Sequence, residues 1–141
     1  MHGRVLRPQW KKFLIGKPLN YNEKTEAKPF GKGVRSYIAY DISNNRLVFL
    51  KDSWRHDGIS EYSETSVYER LQEHNVQHIP TAIAGEDVGL TGPQLTVCSK
   101  YTGRTRFMHH RLVLKEICRP LSSYTCTPEL IIAVYHALLG T

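Results

Sequence analysis

The chain has little of what marks several protein classes. Three cysteines occur in 141 residues. Cys98, Cys118 and Cys126 are odd in number and make no CxxC pair, so neither a disulfide framework nor a zinc site is indicated. No apolar run approaches the roughly 20 residues that span a bilayer. The N-terminal stretch MHGRVLRPQWKKFLIGK is basic but has no apolar core long enough for a secretory signal. The seven histidines show no HxxxH spacing. Adjacent His109 and His110 would point to opposite faces of a strand, so no metal site is expected. An intracellular, reducing compartment fits these absences, without separating cytoplasm from nucleus.

What is present is a globular composition, 40% hydrophobic and 23% charged, fit for one domain or part of a larger one. The formal charge of +6 is concentrated in two places. Met1 to Lys17 holds Arg4, Arg7, Lys11, Lys12 and Lys17 and no acid. Arg104 to Arg119 is basic, with His109 and His110, against Glu116 alone. Such patches suit an acidic partner. No aromatic-basic interleaving accompanies them, so they read as solvated surface and nucleic acid is not expected.

The most informative stretch is Phe30 to Arg55. Val34 to Tyr40 alternates, with Val34, Ser36, Ile38 and Tyr40 on one face and Arg35, Tyr37 and Ala39 on the other. Arg46 to Lys51 is β-branched and apolar enough for a half-buried strand. Asp41, Ser43, Asn44 and Asn45 supply the turn between them, and Asn tolerates positive φ, so a hairpin is predicted. The run from Gly31 through Gly33 and Ser36 to Ile38 opens the first strand. Glycines there admit backbone N–H groups close to a phosphate and let the turn bend without a Cβ clash. Lys51 ends the second strand on the face of Leu47 and Phe49, a point charge suited to phosphate oxygens.

A helix is predicted over residues 60–73, capped by Ser60 or Ser63, with Glu61 and Glu64 in a first turn that favours acids. Val67, Tyr68 and Leu71 form its inward stripe. Glu64 precedes them by three, four and seven residues and shares their face, whereas Glu69 turns away. Glu64 is therefore chosen over Glu69 as partner of Lys51. Phe13 to Ile15 reads as a strand or extended arm and Ala82 to Val88 as a strand. A strand with flanking loops is expected within Leu90 to Met108, centred on Leu95 to Val97, and a strong strand over Arg111 to Ile117. Asp87-Val88-Gly89 is a turn. A last helix opens at Thr127-Pro128-Glu129, with Leu130, Ile131, Val134 and Leu138 on its apolar face.

These blocks together resemble the fungal-type protein kinases. The resemblance rests on the glycine loop, Lys51-Asp-Ser-Trp-Arg55, Glu64-Thr-Ser-Val-Tyr68 and His110-Arg-Leu-Val-Leu-Lys-Glu116 followed by Arg119-Pro-Leu121, and covers about residues 30–140. It implies an α+β, protein-kinase-like small lobe: a twisted, mainly antiparallel sheet with one packed helix. Residues 1–29 would be an N-terminal arm, 30–121 the small lobe with its hinge, and 122–141 the start of a truncated large lobe. ATP would be the phosphoryl donor. Gly31, Gly33, Ser36 and Ile38 would belong to the phosphate loop and the strand after it, Lys51 would hold phosphate and Glu64 would hold Lys51. Glu116 and Cys118, flanking Ile117, would lie in the hinge that meets the adenine edge. The sequence contains no HRD-like catalytic loop and no usable DFG, so magnesium would bind only with a large lobe supplied, and the chain is expected to be inert alone. Ser36 stands for the third glycine, and Phe49 puts bulk where kinases often have a small residue. The competing reading is a non-catalytic, pseudokinase-like protein-interaction module with a basic surface.

Overall fold

The computed structural model describes residues 11–19, 33–56, 62–89, 92–96 and 106–139. They form an α+β arrangement of five strands and two helices: β1 (Phe13–Ile15), β2 (Val34–Asp41), β3 (Arg46–His56), α1 (Glu64–Glu73), β4 (Ala82–Asp87), β5 (Phe107–Leu114), a short 3₁₀ turn (Leu121–Ser123) and α2 (Thr127–Leu139). The sheet order is β1-β2-β3-β5-β4, and every pairing is antiparallel.

The hairpin turn between β2 and β3 is built by one buried carboxylate. Asp41 accepts hydrogen bonds from the Ser43 N–H at 3.1 Å, the Asn44 N–H at 3.3 Å and the Asn44 side-chain amide at 2.7 Å. Asn45 takes the left-handed conformation at φ 50, which Asn tolerates better than most residues.

Lys51 lies in the middle of its strand, a correction to the reading that it ends there. β3 continues to His56 because β5 pairs along it, Arg55 opposite Met108 and Asp52 opposite Arg111. Side chains on the far face tie the two strands together: Asp52 bonds His109 and Arg111, and the Trp54 and His109 rings stack at 4.7 Å.

Both faces of the sheet are packed. Away from α1, Tyr37, Ala39, Val48, Leu50 and Val113 cluster with Phe13, Ile83 and Ala84. Toward α1, Met108, His110, Leu112 and Leu114 are buried. β5 is therefore covered on both sides over Leu112–Leu114, while Arg111 on the far face is exposed.

Three expectations shift. The strand around Leu95 to Val97 is reduced to an isolated bridge from Leu95 to Met108, with 97–105 outside the described residues. The strong strand runs over Phe107–Leu114, earlier than Arg111 to Ile117, because β3 and β4 supply ladder partners only that far. Helix α1 starts at Glu64, where Ser63 caps it by accepting the Ser66 N–H at 3.1 Å. Its deepest residue is Thr65, while Val67, expected inside, is 44% exposed. The helix is rotated so that Thr65, with half-buried Tyr68, Leu71 and Gln72, meets the sheet. No helix among the described residues is long and apolar enough to cross a membrane.

Candidate functional site

Strand registers arrange the α1-facing side of the sheet in three cross-strand rows. Ile38, Phe49, Leu114 and Ala82 form an apolar row. Ser36, Lys51, Leu112 and Gly85 form the next. Val34, Ser53, His110 and Asp87 form the third. The period of two along β2, β3 and β5, with an irregularity between Ala82 and Ala84 that shifts the phase of β4 by one residue, places all twelve on one face.

Lys51 sits at the centre of this surface. Its Nζ donates to both carboxylate oxygens of Glu64 at 2.7 Å. The side chains are 28% and 38% exposed. An ion pair this open contributes about 0–1 kcal/mol, so it orients Lys51 more than it holds the helix. A cleft of about 340 Å³ opens beside the pair, between the end of β3 and the first turn of α1, with Val34, Arg55, Tyr62 and Val67 in its walls.

Asp87 and His110 of the third row join Arg55 and Thr65 in a chain of polar contacts that the sequence reading missed. Arg55 donates to Asp87 through Nε at 2.9 Å and Nη2 at 2.6 Å. His110, 2% exposed, lies 3.0 Å from Asp87 through Nδ1 and 2.9 Å from the Thr65 hydroxyl through Nε2. The Arg55 guanidinium, and His110 after it, hold the Asp87 carboxyl below its ordinary range against the effect of burial. An ionised Asp87 only accepts, so His110 Nδ1–H donates to it. In the neutral ring Nε2 then accepts from Thr65 Oγ1–H. A hint was available in the sequence: His109 and His110 on opposite strand faces leave His110 pointing at the helix.

The other expected residues are distributed as follows. Gly31 lies outside the described residues. At Gly33 a Cβ would meet only Trp54, at an ordinary 3.5 Å, so the expected steric need for glycine does not hold there. The Gly33 carbonyl accepts from the Trp54 N–H at 3.2 Å. The Ser36 carbonyl accepts from the Leu19 N–H at 2.7 Å, and Ile38 is partly exposed beside Phe49. Glu116 accepts from the Thr81 N–H at 2.6 Å and the Thr81 hydroxyl at 3.0 Å. Desolvation opposes ionisation, but these donors hold its carboxyl below the usual range. The Glu116 side chain is thereby turned toward the segment before β4. Cys118 is a free, exposed thiol. Burial, then the nearby Glu64 carboxylate, and Cys118 after it, push the Tyr68 phenol up. Among the described residues no three His, Cys, Asp or Glu side chains converge as metal ligands would.

No family model, no curated protein and no solved structure matches this chain.

Proposed function

We propose that the chain carries the ATP-binding half of a protein-kinase-type phosphotransferase, of the fungal-type family its motifs resemble. One observation carries the reading: a lysine in the middle of the third strand, held at 2.7 Å by both oxygens of a glutamate on the next helix. In protein kinases the lysine of the third strand pairs with a glutamate of the following helix and reaches the nucleotide phosphates. The spatial order around Lys51 supports it. The apolar row of Ile38, Phe49 and Leu114 is a surface on which a base would lie, and Lys51 is one row further on, where phosphate oxygens would follow. Glu116 to Cys118 continue past Leu114 toward the base side, where their backbone groups suit an adenine edge.

The residues fit a nucleotide in part. Lys51 would hold phosphate and Glu64 would keep its ammonium aimed. Magnesium is a different matter, because no converging carboxylate set exists among the described residues and no HRD-like or DFG segment occurs in the sequence. What is proposed for these residues is therefore binding. Transfer would need a lobe that supplies the base and the metal positions. Each charge–phosphate contact in a wet cleft contributes on the order of 1 kcal/mol, so the affinity of the chain alone is weak.

The test is titration with ATP, followed by isothermal calorimetry, for the parent and Lys51→Ala. Weak binding that disappears in the variant is expected. Identical titrations for the two proteins would sink the proposal. Salt-sensitive binding to a polyanion with no nucleotide effect would transfer the assignment to an interaction module.

A further inference from the structure

We infer that Thr65, His110 and Gly85 are positioning residues that set where α1 lies and hence whether Glu64 reaches Lys51, an inference whose functional weight rests on the reading just proposed. Three observations converge on one point of contact. Thr65 follows Glu64 directly and is the only buried residue of α1. Its hydroxyl meets the buried Nε2 of His110 at 2.9 Å. The same side chain lies over Gly85, where a Cβ would come within 2.0 Å of Thr65 Oγ1 and 2.7 Å of Cγ2. Real Cβ atoms do not approach so closely, so any side chain at position 85 displaces Thr65, and the first turn of α1 with it.

The anchor is fixed from behind. His110 is held by Asp87, and Asp87 by the two-pronged Arg55 contact. Arg55 is four residues beyond Lys51 on the same strand and face, so one rigid strand carries both ends of the arrangement. Lys51 meets Glu64 at one end, and Arg55 reaches Thr65 through Asp87 and His110 at the other. A shift of about 1 Å in the first turn would carry the Glu64 oxygens beyond hydrogen-bond distance. The exposed pair is too weak to impose that placement by itself. The buried contact next to it is what can.

The experiment is a double-mutant cycle on Lys51→Ala and Glu64→Ala, read as urea midpoints, in four backgrounds: the parent, Thr65→Ser, Thr65→Val and Gly85→Ala. Thr65→Val removes the hydroxyl at nearly constant volume, and Gly85→Ala adds the obstructing methyl. Non-additive midpoint shifts are expected in the parent and in Thr65→Ser, which keeps the hydroxyl. They should become additive in Thr65→Val and Gly85→Ala, with the helical circular-dichroism signal retained. A residue that merely stabilised the fold would lower the midpoint and leave the non-additivity in place. Additive shifts in the parent, or non-additivity that persists in both Thr65→Val and Gly85→Ala, overturn the inference. If Thr65→Val does not fold, Gly85→Ala decides alone. ATP titration of the parent is scored separately. No binding, together with the expected loss of coupling, removes the kinase reading and leaves the anchor standing.

Discussion

The two helices teach opposite lessons about docking. Helix α1 is the more polar, with its deepest point at a threonine, yet it is registered on the sheet by a hydroxyl–imidazole contact and a glycine floor. Helix α2 is the more apolar and leaves Ile131 and Leu138 61% and 67% exposed. Its first turn is secured locally, by Glu129 accepting from the Thr125 N–H and hydroxyl, both at 2.8 Å. Apolar surface is non-directional and fits many partners. A buried polar contact tolerates one placement, because a displaced donor or acceptor goes unsatisfied. The helix that carries Glu64 to Lys51 is the one held by polar geometry.

The contrast breaks most readily at Leu112. This side chain is 1% exposed and shares the cross-strand row of Lys51 and Gly85 beneath α1. Leu112→Ala should cost about 2–5 kcal/mol in urea unfolding, the range for large-to-small changes in a packed core. A loss under about 1 kcal/mol would mean that α1 is not seated as described.

Acid should act next, through Asp87. Its folded pKa is lowered, first by the hydrogen bonds from Arg55. The stability it adds is therefore fully present above the unfolded value of about 3.9 and is lost as pH falls through the lower folded value. The midpoint temperature should drop on acidification from pH 5 toward pH 3, and drop less steeply in Asp87→Asn. Asp41 and Glu116 are lowered as well, so the variant reduces the slope without abolishing it. Parallel curves for the two proteins would show that Asp87 does not anchor the third row.

The smallest effect is expected on α2. Ile131→Ser and Leu138→Ser should each change stability by no more than about 0.5 kcal/mol, as exposed positions do, while lowering self-association in sedimentation velocity, since exposed apolar patches drive contact. A large stability loss would show that the face is covered and would erase the contrast.

The distribution of these features explains what could be read from the chain beforehand. The hairpin was legible because its determinants are local: Asp41 and the asparagines specify a turn, and alternation specifies the faces. The approach of Glu64 to Lys51 was legible because Glu64 shares a helix face with Tyr68 and Leu71, which turn toward the sheet. Val67 departs from the inward stripe because hydrophobicity alone does not set the rotation of the helix. The tight approach to Gly85 instead selected a small polar residue, and Thr65 is the one that fits. The extent of β3 and β5 could not be read, since His109, His110 and Asp52 look like surface residues until the two strands lie side by side. The Arg55–Asp87–His110–Thr65 chain joins four separate elements, and no window of sequence contains it.

The out-of-order placement of β5 between β3 and β4 also governs how the molecule can come together in time. The β2–β3 hairpin can close as soon as Arg46 to His56 is made, since its contacts are local. Among the described residues β4 pairs only with β5, and β5 fills the gap between two strands already synthesised. Closing such long loops delays folding far more than it alters final stability. During that interval the inner edge of β3 stands open, with Lys51 on it and the seat for Glu64 unbuilt. The insertion of Phe107–Leu114 thus completes the sheet and the floor of the cleft in a single event.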